Sequence, residues 1–424
     1  MAKQTIRVLQ PTFYDRFECI GPACPDTCCR GWNIIIDKST YQRYRQIKDP
    51  VFVELCKKTL ARSRSGEISN QNYAHIKLDE DGVCGFQQED GLCYLHKNFG
   101  EKYLSTTCKV YPRQKNMLMK DVCELSLSVS CPEAARLVLN EKNGVDFELL
   151  DKELESGDGV LKSGTTSLKL HESQSGYNEY AWQIREACID LMQCQESSVQ
   201  ERLLAVCMML RKITELHDAG ETGEIVSALK GFVTAINCGD FKGMLDELPY
   251  DEKIHFSAIT LPLAHVAFRR ESMGGGAAMT AFWEEMDQHF ESGEDEKGQL
   301  ADGTIQFVID CMKKYSDVYF GEHPMALENY FANYMFSTLF PFRYSTETMN
   351  PARNADMLIE HYALLRIIIS IAANRLGGVT DDIVIAAISF LSRSAQHSYF
   401  DETVTRLADS IKLDSVAYSA HMLR

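Results

Sequence analysis

The sequence predicts a mainly α protein in two parts: an irregular cysteine-rich metal module at the N-terminus, followed by an all-helical C-terminal domain. Three observations lead there. Ten of the fifteen cysteines stand before residue 132. Beyond residue 178 apolar residues recur at three- and four-residue spacing, the period of amphipathic helices. No run of alternating apolar and polar residues is long enough for a large sheet. The division that follows is 1–140 for the module, 141–176 for a linker or mobile loop, and 177–424 for the helical domain.

The chain-wide numbers agree with this. A chain of 424 residues has ample length for two or three domains and a large core. Hydrophobic residues at 45% and charged residues at 25% are ordinary for a globular protein. The net charge of −16 argues against nucleic acid, which needs clustered Lys and Arg, and favours lysine-bearing partners. Residues 1–18 hold Lys3, Arg7, Asp15, Arg16 and Glu18 with no apolar core, so no targeting signal is expected. The apolar segment 357–376 is broken by Glu360, His361, Arg366 and Arg375, and 383–391 is too short for a bilayer, so no membrane span is expected. A cytoplasmic protein is the expectation. The cytosol keeps thiols reduced, which argues against a disulfide framework and for a metal site.

The elements follow in chain order. Cys19, Cys24, Cys28 and Cys29 fall within eleven residues, punctuated by Gly21, Pro22, Pro25 and Gly31, a turn-rich loop. Residues 32–36 read as a short strand, and 39–62 as a helix capped by Ser39 or Thr40. Asp81-Gly82 stands shortly before Cys84 and Asp90-Gly91 shortly before Cys93, so two tight turns present thiols. Cys108 follows, then Ser130 or Cys131 caps a helix over 133–141 with Pro132 in its first position. The stretch 152–176, rich in Gly, Ser and charge, reads as linker. Helices are expected over 178–195, 198–217, 223–237, 304–318, 324–340 and 402–413. A helix over 351–376 has Asn350 as cap, Pro351 in its first position and Gly377 as its stop; another over 381–395 starts at Thr380. Cys188, Cys194, Cys207, Cys238 and Cys311 read as core residues, as small buried hydrophobes.

Thiolates bind zinc or iron–sulfur clusters. The first cluster, C-x4-C-x3-C-C, followed by C-x8-C and C-x14-C, is not a zinc-ribbon spacing. A cubane cluster draws its four thiolates from a wider volume, which suits looser spacing. Adjacent Cys28 and Cys29 point apart in extended backbone, so one can ligate while the other faces a second site or the core. Spacing alone does not name the metal.

The run Cys19…Cys24…Cys28-Cys29-Arg30-Gly31-Trp32 resembles the cysteine-rich family written CxxxCxxCC, with each of the first two gaps one residue longer. Cys84-Gly-Phe, Gly91-Leu-Cys93-Tyr-Leu, Thr107-Cys108-Lys-Val-Tyr111-Pro112-Arg113 and Ser130-Cys131-Pro132 are similar to its later motifs in order and spacing. Within that family the length, the helical second part and the stretch from Leu327 to Arg343 resemble the bacterial flagellin lysine-N-methylases. The resemblance implies methyl transfer from S-adenosylmethionine to lysines of flagellin in the cytoplasm, and a cluster, most plausibly [4Fe–4S], held by cysteines of the module. Its ligands would come from Cys19, Cys24, Cys28, Cys29, Cys84, Cys93, Cys108 and Cys131.

Amine methylation needs a neutral lysine and a close approach of the two reactants. It needs no metal, so a cluster would be structural, would anchor the donor, or would do redox work; a cysteine thiolate accepting the methyl first is a covalent alternative. The C-x3-C-x2-C spacing of the usual radical enzymes is absent. The glycine run in Ser272–Met279 follows no clear strand and reads as a loop, not a Rossmann-type donor site. Tyr330, Phe331, Tyr334 and Phe336 fall at helical spacing; such a stripe reads as core or as an aromatic cage for a sulfonium or ammonium, with Asn333 orienting an amine. Tyr330, Tyr334 and Asn333 are therefore the catalytic candidates, and Tyr111 and Arg113 the cofactor-binding ones. His96 is a further metal candidate, and the acidic run 284–296 reads as a solvated face. A monomer is the working expectation. Two other classes stay open: a metal-binding protein without catalysis, and a helical interaction protein whose N-terminal loops are stapled by zinc.

Overall fold

The computed structural model describes residues 3–31, 34–64, 69–119, 122–155, 176–252, 254–255, 276–290, 302–342, 350–396 and 415–424. The expected helix 402–413, the glycines before Gly276, the acidic residues 291–296, Trp32, Asn33 and most of the expected linker lie outside these residues.

The chain opens with strand β1 (Lys3–Pro11), and Cys19 and Cys24 flank a short 3-10 turn, Gly21–Ala23. Strand β2 (Ile34–Ile36) follows. The single helix expected over 39–62 is two helices and a strand: α1 (Lys38–Gln46), α2 (Pro50–Thr59) and β3 (Leu60–Arg62). Asp49-Pro50 makes the break. A residue before proline is pushed out of helical conformation, and here Asp49 also caps the second helix by accepting the Phe52 N–H at 2.8 Å. Asp37, not Ser39 or Thr40, caps the first, accepting from the Thr40 N–H at 2.9 Å. Strand β4 (Ala74–Ile76) completes a small antiparallel sheet in the order β2-β4-β3. Helices α3 (Tyr94–Phe99) and α4 (Thr106–Val110) close the module around Ile34, Ile36, Tyr44, Phe52, Phe86 and Leu95.

A second sheet corrects the reading that no large sheet exists. Strands β5 (Arg113–Met119) and β6 (Val122–Leu127) form a hairpin. Helix α5 (Pro132–Leu139) follows, capped by Cys131 with Pro132 in first position as its sequence predicts. Strand β7 (Phe147–Glu155) lies inside the span read as linker and pairs antiparallel with β1 along its whole length. The sheet order is β5-β6-β1-β7, with β1 parallel to β6. Two physical reasons hid it. Strand β6 is buried on both faces, and its polar Glu124 is admitted because Arg185 pairs with it at 2.9 and 3.0 Å, so no apolar–polar alternation marks a solvent face. Strand β7 carries the opposite disguise: an outer strand paired only with β1, its sequence is Phe-Glu-Leu-Leu-Asp-Lys-Glu-Leu-Glu, and its charges resemble those of a linker.

The helical region is as expected in kind. It comprises α6 (Ala181–Met192), α7 (Val199–Asp218), α8 (Ile225–Asn237), α9 (Met244–Glu247), α10 (Gly276–Phe290), α11 (Asp302–Lys314), α12 (Ser316–Glu322), α13 (Pro324–Ser337), α14 (Pro351–Leu376), α15 (Asp381–Gln396) and α16 (Ser415–Leu423). Ser198 and Glu201 cap α7 reciprocally, each holding the other's backbone N–H. Asn350 accepts from the Arg353 N–H at 3.3 Å to start α14, and Gly377 ends it at φ 86°, where a side chain would be strained. Helix α14 is the bundle's axis: it packs against α7, α10, α11, α12, α15 and α16, and is buried almost without interruption from Asn354 to Ala373. Among the described residues no helix is long and apolar enough to cross a membrane.

The module meets the bundle at several places, among them the buried Glu124–Arg185 pair. Helix α5 packs on α13 and α15. The cysteine loop itself docks at Asp26, whose carboxylate is paired with Arg393 of α15, both side chains about nine-tenths buried. Next to it Gly276 stands at φ +64°, and a side chain there would come within 3.1 Å of the Pro25 carbonyl.

Candidate metal centre and a buried tyrosine–amide cluster

All fifteen cysteines are unbridged. The eight candidate ligands come from four segments of the module, and only some of them meet. The Cys84 N–H donates to the Cys29 carbonyl at 2.8 Å, fixing the first loop to the second. Gln87 donates to Thr27 Oγ1 at 2.9 Å, and Thr27 Oγ1 accepts the Cys29 N–H at 3.1 Å. Cys84 is buried in the module's core, with Cys29, Cys93 and Cys108 packed against it. Cys131 lies in the other, larger core. Cys19 and Cys28 keep a face open to solvent.

Backbone N–H groups are turned toward several of these sulfurs. Cys93 precedes α3 and faces the N–H groups of His96 and Leu95; Cys131 precedes α5 and faces those of Ala134 and Glu133. Cys84 faces the Phe86 N–H, and Cys24 that of Asp26. Such donors stabilise negative sulfur. They do not offset the cost of burial. Burial pushes the Cys84, Cys108 and Cys131 thiols up to about 12, and the neighbouring sulfurs add to it. Burial also raises Cys24 and Cys93, while Cys28 holds its proton first through a hydrogen bond with Cys29. The thiolate form is costly here without a cation beside it, and metal binding would release protons.

Cys29, Cys84, Cys93 and Cys108 share one small core and are unbridged, soft donors of the kind a sulfur-bound group takes. Among the described residues no three His, Cys, Asp or Glu side chains close around one ion. His96 is exposed on α3.

The cofactor-binding candidates part company. Tyr111 donates to or accepts from Ser130 Oγ at 3.0 Å, beside Cys131, and burial, with the Cys131 and Cys28 charges adding to it, drives its phenol well above the ordinary range. Arg113 instead donates to the Phe17 carbonyl at 3.1 Å and lies 5.0 Å over the Phe17 ring, which ties it to the segment after β1.

The catalytic candidates lie together on α13. Tyr330, Asn333 and Tyr334 are buried, the tyrosine rings 6.3 Å apart. The Tyr330 hydroxyl has no hydrogen-bond partner among the described residues, and neither has the oxygen or the nitrogen of the Asn333 amide. An unpaired buried amide costs about 1–3 kcal/mol per polar group, so such a residue needs a reason. From α14, His361 comes edge-on to Tyr334 at 5.1 Å between rings, itself fully buried. His361 was not a site candidate from sequence. Its signal was there, a Glu-His pair interrupting an otherwise apolar helix, but read only as evidence against a membrane span.

The structure is a cysteine-rich module seated on a helical bundle that buries a tyrosine–amide–histidine cluster. The chain belongs to the FliB lysine N-methylase family: the model of that family's C-terminal domain matches residues 185–422, more than half of the chain. A lysine-N-methylase of Salmonella typhimurium (strain LT2) is 23% identical over 423 residues, covering 99% of both chains, and so is that of Salmonella choleraesuis. The flagellar biosynthetic protein FliU of Salmonella muenchen is 35% identical over 141 residues, which are 33% of this chain and 81% of that protein. No solved structure matches.

Proposed function

We propose that this chain is a cytoplasmic protein-lysine N-methyltransferase that moves methyl groups from S-adenosylmethionine to flagellin, with a [4Fe–4S] cluster in its 1–140 module and the helical part from 177 onward forming the acceptor site. The observation that carries this is the end-to-end similarity to two lysine-N-methylases, 23% identical over 99% of the chain. The flagellar name of the third relative and the net charge of −16, which attracts a lysine-bearing partner, favour flagellin.

The transfer is a displacement at carbon. The lysine nitrogen lone pair forms the new N–CH3 bond as the S–CH3 bond breaks, the sulfonium leaves as the neutral thioether S-adenosylhomocysteine, and the nitrogen's proton passes to a base. Tyr330 and Tyr334 offer ring faces to a cationic sulfonium or ammonium. Asn333 offers an unpaired donor and acceptor to orient the amine, and burial there favours neutral lysine. His361, beside Tyr334, takes the proton. The cluster of side chains is closed to solvent, so turnover requires the helices around α13 to part. Tyr111, next to Cys131, is the better placed donor-binding residue. The module's cysteines would hold the iron–sulfur group, which when bound supplies Lewis-acidic iron near the donor.

The test is anaerobic purification, a visible spectrum with iron and sulfide counts, then incubation with S-adenosylmethionine and flagellin read by intact mass. Increments of one methyl group support the proposal. Unchanged flagellin mass with metal-replete protein overturns it.

A further inference from the structure

We infer that the seam between helix α15 and the cysteine module is a nucleoside site, in which Ser389 and Ser392 hold the ribose hydroxyls of the methyl donor. This deepens the methylase reading and rests on it for which nucleoside is bound.

The two serines lie inside the protein, 0% and 3% exposed, and neither hydroxyl has a hydrogen-bond partner among the described residues. A hydroxyl buried on a helix commonly returns to the carbonyl four residues back. Thr214 of α7 does so at 2.9 Å, and Ser316 at 3.2 Å. Ser389 and Ser392 do not, so two hydroxyls three residues apart are left for another partner. Leaving them dry costs free energy, and native interiors keep such groups few.

Arg393 shows which way they face. Residues three and four apart share one side of a helix, which puts Ser389 with both Ser392 and Arg393. Arg393 reaches from that side to Asp26 of the cysteine loop, and its Nε donates to the Ser389 carbonyl at 3.3 Å. The serines therefore look onto the module. On the same side stand Gly276, close against the Pro25 carbonyl, and helix α5, which packs on α15 and on α13. Just before α5, Ser128, Ser130 and Tyr111 form a chain of hydroxyls at 2.7 and 3.0 Å. Helix α5 thus borders the seam, the Tyr111 hydroxyl chain and the tyrosine–amide cluster of α13 alike.

The chemistry selects the ligand. Arg393 is already neutralised by Asp26, so the seam does not call for a carboxylate or a phosphate. Two neighbouring hydroxyls, each able to donate and to accept, match a neutral diol. In S-adenosylmethionine and its product the neutral diol is the ribose.

The experiment measures binding of S-adenosylhomocysteine and of adenosine to the full chain, purified without oxygen, by titration calorimetry, alongside urea unfolding. The unaltered protein should bind both. Ser389→Ala with Ser392→Ala should weaken each by about tenfold or more, through two lost hydrogen bonds. The unfolding midpoint should stay or rise, because the hydroxyls removed have no partner within the fold. The two single variants carry the same test if the double one does not fold. Unaltered protein that binds neither compound overturns the inference, and so does a variant that binds both as tightly as before. A lowered midpoint with unchanged binding overturns it too and makes the serines structural. Binding lost in the variant, while the unaltered protein leaves flagellin unmethylated, sinks the methylase reading and keeps this inference; methylated flagellin with unchanged variant affinity does the reverse.

Discussion

The cysteine module and the helical bundle are stabilised in different ways. The bundle surrounds α14 with apolar residues from Met357 to Ala373, most of them fully buried, and burying each Leu or Ile is worth about 1.5–3 kcal/mol. The module's own core is a small group around Phe52, Phe86 and Tyr44, served by three-residue strands and short helices. Much of what orders it is polar and local: Asp37 holds Thr40 and Ser39, Asp79 holds the Val83 N–H at 2.7 Å, and Ser105 holds the Cys108 N–H at 3.1 Å. A core that small is marginal without a staple. The difference teaches that apolar burial can carry the bundle by itself but supplies little in the module.

The largest expected effect follows directly. Removing the proposed cluster should unfold the module and leave the bundle. Chelation or Cys84→Ser should open residues 34–110 to limited proteolysis and amide exchange, with most of the helical circular dichroism kept; equal protection in both halves would remove the distinction. The next effect lies where sheet and bundle join. Glu124 and Arg185 are both buried, so Arg185→Met strands a carboxylate and should cost about 3–5 kcal/mol in urea unfolding. Replacing Glu124 by Leu as well should recover much of it; no recovery would mean that packing, not charge, sets the loss. Within the bundle, Leu364→Ala should cost about 2–5 kcal/mol and leave metal content unchanged.

A smaller effect depends on pH. His255 is buried and its pKa is lowered from 6.5 to about 3, first by burial and then by Arg366 and His421; its Nδ1 meets the Tyr250 hydroxyl at 2.9 Å. Its folded pKa lies below its unfolded one, so its stabilisation is full above 6.5 and is lost as pH falls toward 3. His255→Gln should flatten that part of the acid limb of the stability curve; an unaltered slope would discount His255. The smallest stability effect should come from Asn333→Leu. The amide it removes has no partner among the described residues, so stability should shift by less than about 1 kcal/mol, while methyl transfer should fall by about tenfold or more. A large stability loss with normal transfer would return Asn333 to the core.

Local chemistry was legible in the residues themselves. Asn350-Pro351 and Gly377 bound a helix because a cap oxygen, a fixed φ and a left-handed glycine act within a few residues. Cys131-Pro132 did the same for α5, and paired Asp-Gly turns placed Cys84 and Cys93. The large sheet was not legible, because whether Glu124 can be buried depends on Arg185, sixty-one positions away. Nor was the tie between Asp26 and Arg393, or the meeting of Tyr334 with His361.

The amino-acid order alone therefore determined two things: where some helices, such as α5 and α14, start and stop, and that cysteines concentrate in the front third of the chain. Caps, prolines and spacing work over a few residues, and composition needs no partner. Only the tertiary structure decided which strands pair, which sulfurs share a core, and which buried polar groups meet. Those are contacts between distant segments, and the balance between burial and pairing that permits them is settled only when the segments come together.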